Sequence, residues 1–152
     1  MSLIIATGTN QGDRINNLAK TKKALGKYFK FIAESQVYES KAIGYTKQPN
    51  FYNQVLEFKK TRLSPEEILK ICKMIEKNIG RKKTFKNGPR IIDIDIIFID
   101  NLKHKSKTII IPHPRAFERS FVIEPLKELP AFQKLSKHFD FSKTINNKAK
   151  HL

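Results

Sequence analysis

Hydrophobic positions change their period several times along the chain, and each change marks an element. Residues 3 to 7 (LIIAT) form a short apolar run that predicts a buried strand, and Gly8 and Gly12 bracket a turn after it. From Asp13 to about Phe29 the spacing predicts a helix in which Ile15, Leu18, Lys22 and Leu25 share a face, with the lysine at its boundary. Residues 30 to 39 predict a strand with Phe31, Ala33, Ser35 and Val37 on one side. The stretch SKAIGYTKQPN, residues 40 to 50, carries Gly44 and Pro49 without any period and predicts a long loop between two strands. Alternation returns at 51 to 60, where Phe51, Asn53 and Val55 oppose Tyr52, Gln54 and Leu56.

Ser64-Pro65-Glu66-Glu67 supplies an N-cap, a proline at the first helical position and a capping-box glutamate, so a helix starts there. Its stripe is Ile68, Leu69, Ile71, Cys72, Ile75 and Ile79, and Gly80 ends it. A basic, glycine- and proline-marked loop at 81 to 90 feeds a strand at 91 to 99. A short strand at 108 to 111 precedes Pro112-His113-Pro114, followed by a turn or helix near 115 to 119 and a helix near 122 to 129. The last twenty residues are polar and lysine-rich, with little to pack. Strand, helix, strand, strand, helix, strand is the split βαβ order. It predicts an α+β fold, a ferredoxin-like βαββαβ sandwich whose mainly antiparallel sheet carries its helices on one face, with a C-terminal extension.

At 152 residues and 39% hydrophobic content, the expectation is one domain over 1–152 with a core of its own. The lone cysteine excludes an intrachain disulfide and a multi-thiolate metal site. With no apolar run of membrane-spanning length and no signal-peptide layout, the reading is a soluble cytoplasmic protein. The net charge of +16 predicts attraction to polyanions. The basic residues are spread along the chain, however, and a solvated lysine-rich surface accounts equally well for most of them.

Charge matters most beside the sequence IIDIDIIFI at 91 to 99, where Asp93 and Asp95 interrupt an apolar strand. Their spacing of two puts both carboxylates on one face, with Cα atoms roughly 6–7 Å apart. Burying two such charges among isoleucines is costly unless cations compensate. Ordinary ion pairs with nearby lysines and arginines are one solution. A hard divalent cation, Mg²⁺ first, is the other, since oxygen donors without sulfur favour it and it completes its shell with water and phosphate. Arg81, Lys82, Lys83, Lys86 and Arg90 just upstream, and His113, Arg115 and Arg119 downstream, add anion-binding groups and point to a polyphosphate. The segment Gly8 to Gly12 lacks the Lys-Ser/Thr ending of a phosphate-binding loop, no nucleophilic triad is legible, and Cys72 on its helical stripe reads as core.

KNGPRIIDIDII at 86 to 97 resembles the signature of the 6-hydroxymethyl-7,8-dihydropterin pyrophosphokinases of folate biosynthesis. TGTNQGDRINNL at 7 to 18, YESKAIG at 38 to 44, QPNFYNQV at 48 to 55, IEKNIGR at 75 to 81 and PHPRAFERSFVIEPL at 112 to 126 match in order. The resemblance implies transfer of the β,γ-pyrophosphoryl group of ATP to the pterin hydroxymethyl oxygen, with release of AMP and with two Mg²⁺ ions held by Asp93 and Asp95. It implies phosphate contacts from Arg81, Lys83, Arg90, His113 and Arg119, with Arg81 and Arg90 also catalytic, and a supporting carboxylate, Glu76, behind the site. For the pterin it implies stacking by Phe51 and Phe121, ring-edge recognition by Asn53, and contacts from the 40 to 43 segment, including Ile43. Asn87 stands where some relatives carry tryptophan, the 81 to 90 loop is about one residue shorter, and Lys41 and Pro114 also depart from the pattern.

The resulting expectation is a monomer acting on small molecules, with no nucleic acid or membrane required, whose catalysis rests on positioning and electrostatic stabilisation. Two rivals remain open at this point: a basic RNA-binding module of the same topology, and a Mg²⁺-dependent nucleotidyltransferase releasing pyrophosphate. Asp95→Ala is expected to lower turnover at least ~10³-fold, about 4 kcal/mol of transition-state stabilisation. Near-normal steady-state kinetics in that variant would remove the metal assignment.

Overall fold

A computed structural model of the chain describes residues 1–82, 84–142 and 149–152. Its principal sheet contains β1 (Ser2–Thr9), β2 (Phe31–Glu34), β3 (Tyr38–Ser40), β4 (Phe51–Lys59), β5 (Asp93–Ile99) and a terminal β8 (Lys150–His151). The strand order is β5-β1-β4-β3-β8, with β2 beside β3 on the same flank of β4, and every pairing is antiparallel. The helices are α1 (Arg14–Leu25), α2 (Pro65–Ile79), α3 (Ser120–Leu126) and α4 (Phe132–Leu135). A small hairpin pairs β6 (His104–Lys105) with β7 (Ile110–Ile111), so only the end of the strand expected at 108 to 111 forms.

Local chemistry fixes the helix ends. Ser64 Oγ accepts from the Glu67 N–H at 3.2 Å while Glu67 Oε1 accepts from the Ser64 N–H at 3.1 Å, closing the capping box. Gly80 ends α2 at φ 117°, a left-handed conformation that a residue with a Cβ rarely adopts. At α1 the buried face is Asn17, Leu18, Thr21 and Leu25, and Ile15 is exposed. The polar pair turns the helix: Asn17 Nδ2 donates to Gln11 O at 2.7 Å and to Thr9 Oγ1 at 3.2 Å, which fastens α1 to the end of β1. The strand expected over 30 to 39 is broken at 35 to 37. There Ser35 Oγ accepts from the Val55 N–H at 3.0 Å and the Gln36 N–H leaves the sheet for Glu128 Oε1 at 2.9 Å.

Helices cover both faces of the sheet, not one. On the first face Leu3, Ile5, Leu56, Phe58, Ile94 and Ile96 pack with Leu18 and Leu25 of α1 and with Ile68, Cys72 and Ile75 of α2. On the second, Ile4, Val55, Ile97 and Phe98 pack with Val122, Ile123 and Leu126 of α3 and with Leu129 and Leu135. Apolar residues at successive positions, as at 3 to 5 and 96 to 99, mark strands buried on both sides. The C-terminal extension is also better packed than its composition foretells. Phe98 meets Phe139 at 5.2 Å and Phe132 meets Phe141 at 5.1 Å, aromatic contacts that close the second core, and β8 joins the sheet beside β3. Among the described residues no helix is long and apolar enough to cross a membrane.

Glu57 ties this extension to the sheet. It is 3% exposed, and its carboxylate accepts from Ser2 Oγ at 2.6 Å and from the Ala131 N–H at 3.0 Å. Glu57→Ala would leave the Ala131 N–H buried without an acceptor. The expected loss is about 1–3 kcal/mol of unfolding free energy, read from urea denaturation midpoints.

Candidate active site

β5 is an edge strand, so the backbone groups on its outer side need partners from elsewhere. Glu76 of α2 takes one of them: its Oε2 accepts from the Ile94 N–H at 2.8 Å. The chain leaving β7 takes another, the His113 N–H donating to Ile97 O at 3.0 Å. Both edge contacts bring a side chain that is ionisable or polar to the strand that carries Asp93 and Asp95.

Glu76 is 3% exposed and needs positive company. Arg81 Nη1 donates to Glu76 Oε2 at 2.6 Å and to Asp93 Oδ1 at 2.8 Å, and Lys73 Nζ stands 3.5 Å from Glu76 Oε1. Arg90 Nη1 approaches Asp93 Oδ2 at 3.4 Å. Burial works against the charge on Arg81, but Asp93 and Glu76 outweigh it and hold the guanidinium above its ordinary pKa. Gly80 makes this possible, because the turn after α2 lets the Arg81 N–H bond Glu76 O at 3.0 Å and swings the side chain toward β5.

Asp95 lacks such close cations. Burial, then the neighbouring charge of Asp93, raises its carboxyl well above the usual range, with Arg119 pulling in the opposite direction. Arg119, from the turn before α3, is itself lowered, by burial first and also by Arg115. His113 is lowered to about 4, by burial first and then by Arg119, so its ring is neutral at pH 7. The Arg115 N–H lies 3.2 Å from His113 Nδ1, which makes that nitrogen the acceptor and leaves the proton on Nε2 as a donor.

Arg90, Asp93, Asp95, His113, Arg115 and Arg119 line one cleft together with Ile43, Phe51, Asn53 and Phe121. Because Gly8 pairs with Asp93 on one side and Asn53 on the other, β1 separates the acids from the amide. Asn53 is buried; its Nδ2 donates to Ser40 Oγ at 2.9 Å and lies 3.4 Å from Tyr38 O. Gly8 is part of β1 opposite Asn53, not of a turn, and a Cβ there would stand 3.1 Å from Asn53 Oδ1. Arg119 lies over the Phe121 ring, 5.5 Å from its centre. A second cavity shares Asp95 and His113 with the first and has an apolar wall of Leu69, Ile94, Ile96 and Ile109, with Ser106 and Thr108 at its edge.

Two loops meet above the cleft. Gln48 Nε2 donates to Asn87 O at 2.7 Å, and Asn10 Nδ2 donates to Gln48 Oε1 at 2.8 Å while its Oδ1 accepts from the Arg90 N–H at 2.8 Å. Tyr45 and Phe85 meet edge to face, with centres 5.0 Å apart. Sequence reasoning missed Asn10, Gln48 and this aromatic pair. Asn10 and Gln48 fall inside matched segments, whereas nothing in the sequence pairs Tyr45 with Phe85. Of the expected site residues, Ile43, Phe51, Asn53, Arg90, Asp93, Asp95, His113, Arg119 and Phe121 share the first cleft. Arg81 and Glu76 stand behind Asp93, and Lys83 lies outside the described residues.

The profile of 7,8-dihydro-6-hydroxymethylpterin-pyrophosphokinase (HPPK) matches residues 4–131. The chain belongs to this family. It is 39% identical over 150 residues to a 2-amino-4-hydroxy-6-hydroxymethyldihydropteridine pyrophosphokinase of Aquifex aeolicus, covering 95% of this chain and 93% of that one. It is 42% identical over 125 residues to the folic acid synthesis protein FOL1 of Dictyostelium discoideum, covering 82% of this chain but only 19% of that longer protein. Among solved structures, a Plasmodium falciparum HPPK-DHPS aligns with a TM-score of 0.63 at 16% identity, covering 84% of this chain and 39% of that one, a likeness of fold. Within the HPPK fold, then, the mixed helix and antiparallel-sheet architecture carries the cleft just described.

The neutral state of His113 gives a sign for its pH dependence. Its folded pKa lies below the unfolded value, so between pH ~6.5 and about 4 the unfolded chain binds more protons and stability falls with acidification. The His113 ring is expected to titrate near pH 4 by NMR, and His113→Gln to flatten the acid limb of the stability curve. A ring titrating at pH ~6.5 would contradict the burial that defines this part of the cleft.

Proposed function

We propose that the chain transfers the pyrophosphoryl group of ATP to 6-hydroxymethyl-7,8-dihydropterin and releases AMP, a reading supported by relatives named as pyrophosphokinases of that pterin. The observation that carries this reading is a single cleft that holds carboxylates, arginines and a histidine N–H together with two phenylalanines and a buried amide. The first group suits a polyphosphate, and the second a flat heterocycle with a polar edge. In the reaction the hydroxymethyl oxygen bonds to the β-phosphorus as the bond from that phosphorus to the α,β-bridging oxygen breaks. AMP leaves with the bridging oxygen and the hydroxyl proton passes to solvent.

In this reading Phe51 and Phe121 stack the pterin, and Asn53, steadied by Ser40, reads its edge. The carbonyl side of that amide is fixed by the bond that its NH₂ makes to Ser40. Arg90, Arg119 and the His113 Nε2 proton hold phosphate oxygens, and Arg81 reaches them by loosening from Asp93. The second cavity, apolar with hydroxyls at its edge, takes the nucleoside, since it opens off Asp95 and His113 on the side away from the pterin.

Asp93 and Asp95 fit Mg²⁺ by donor chemistry, hard oxygens on one face of a strand, and two ions are the expected number. No group of three or more histidine, cysteine or acidic residues placed to hold a metal ion occurs among the described residues, so the ligands beyond Asp93 and Asp95 would be phosphate oxygens and water. Bound there, Mg²⁺ would supply charge neutralisation at the reacting phosphates. The protein's part is to keep Asp93 and Asp95 adjacent and to offer arginines that exchange carboxylate for phosphate.

The β5-β1-β4-β3 order, all antiparallel, supports a ferredoxin-like βαββαβ core, here with a further helical layer, as one domain. A monomer with small-molecule partners suffices for this chemistry, and the buried free thiol of Cys72 is compatible with a reducing cytoplasm. The test supplies ATP, Mg²⁺ and 6-hydroxymethyl-7,8-dihydropterin and identifies the nucleotide product. AMP with a diphosphorylated pterin is expected, and ADP or free pyrophosphate would overturn the assignment.

A further inference from the structure

Arg81 and Arg90 have a second side. A groove outside the cleft is lined by Lys73, Lys77, Lys82, Lys86, Arg81 and Arg90, with Glu76 the only acid along it among the described residues. That acid is already engaged by Arg81, by the Ile94 N–H and by Lys73. The groove thus carries six formal positive charges against one negative, and its lysines are exposed. The two arginines form its inner wall, and both reach Asp93 at 3.4 Å or less. A path of cations therefore runs from the surface of α2 and the 81 to 90 loop to the carboxylates in the cleft. Concavity and one-sided charge together focus the field, which a flat lysine-rich surface does not.

We propose that this groove is a capture site for the triphosphate of the incoming nucleotide. Resting on the function proposed above, it assigns Lys77 and Lys82 to the rate of nucleotide association, not to chemistry. An ATP molecule near neutral pH carries about four negative charges, and its attraction to the groove acts over roughly 10 Å at 0.1 M salt. Lys77 and Lys82 draw the triphosphate toward Arg81 and Arg90, which pass it inward as they leave Asp93. The groove thereby gives part of the chain's positive excess a use, and it ties that use to one place. Lysines at the opposite end of the sheet, such as Lys134 and Lys137 near Met1 and Asp100, lie some six β1 residues, about 20 Å, farther along and contribute little.

The experiment measures association of a fluorescent ATP analogue with the full chain by stopped flow, between 25 and 300 mM salt, alongside steady-state turnover. Three proteins are compared: the wild type, K77E/K82E, and K134E/K137E, which changes net charge by the same amount. The groove variant is expected to associate about tenfold more slowly at low salt, with the gap closing as salt rises. Its dissociation rate, its turnover at saturating substrates and its KM for the pterin stay at wild-type values. Equal slowing in K134E/K137E would show that total charge, not the groove, guides the nucleotide, and would overturn the proposal. So would an unchanged association rate in K77E/K82E, or a lowered turnover at saturation. A wild type that turns over normally with a salt-independent association rate rejects the groove alone. A wild type that forms no AMP rejects the enzymatic reading and the groove with it.

Discussion

Two carboxylates of like charge stand two residues apart on an apolar strand, and the surroundings of β5 are arranged to tolerate them. Asp93 has two guanidinium groups, and Asp95 has burial and a more distant arginine, so the pair divides into one well-neutralised acid and one whose proton affinity is raised. Glu76 extends the same arrangement one layer outward. It is buried, yet every close partner is a donor, and one of them is the backbone of the strand carrying the aspartates. Around Asp93 and Glu76 the result is a compact alternation of acid and base in which each charge is held by its opposite. Such an arrangement can exchange partners without leaving a buried charge alone.

The position of β5 at the sheet edge is what lets other elements reach it. An interior strand would have both rows of backbone groups taken by neighbours, whereas β5 leaves one row for Glu76 and the backbone of His113. The irregular pairing of β1 with β5 between Ile4 and Ile5 adds a second effect. Below it, Asp93 and Asp95 face the α3 side, and above it Ile97 and Phe98 both serve the second core. Site and core thus share one strand.

Much of this was legible in the sequence, and for local reasons. The capping box of α2, the αL glycine that ends it and the alternation through β4 are decided by near neighbours, and they appear where expected. The aspartate pair is legible because charge is out of place in an apolar run. What escaped depends on contacts distant in the chain. The second helical layer needs the knowledge that 3 to 5 and 96 to 99 lie side by side, and the packing of Phe139 and Phe141 against Phe98 spans some forty residues of chain. The rotation of α1 came from Asn17, a polar residue satisfied by Thr9 and Gln11, which a hydrophobic stripe does not register. At the site, the stacking and edge-reading residues were supplied by family resemblance, since phenylalanine in a strand otherwise reads as core.

The edges of the sheet also bear on how copies of the chain behave toward one another. β8 covers the outer side of β3, and Glu76 and the His113 backbone occupy part of β5. That leaves β2, four residues long with Phe31 and Ile32 exposed, as the most open hydrogen-bonding border among the described residues. Its register slips between Phe31 and Ala33, and Glu34 at its end is paired with Lys22. A border so short, uneven and charged is a poor template for strand addition by a neighbouring molecule, which guards a concentrated solution of this lysine-rich protein against sheet-to-sheet aggregation.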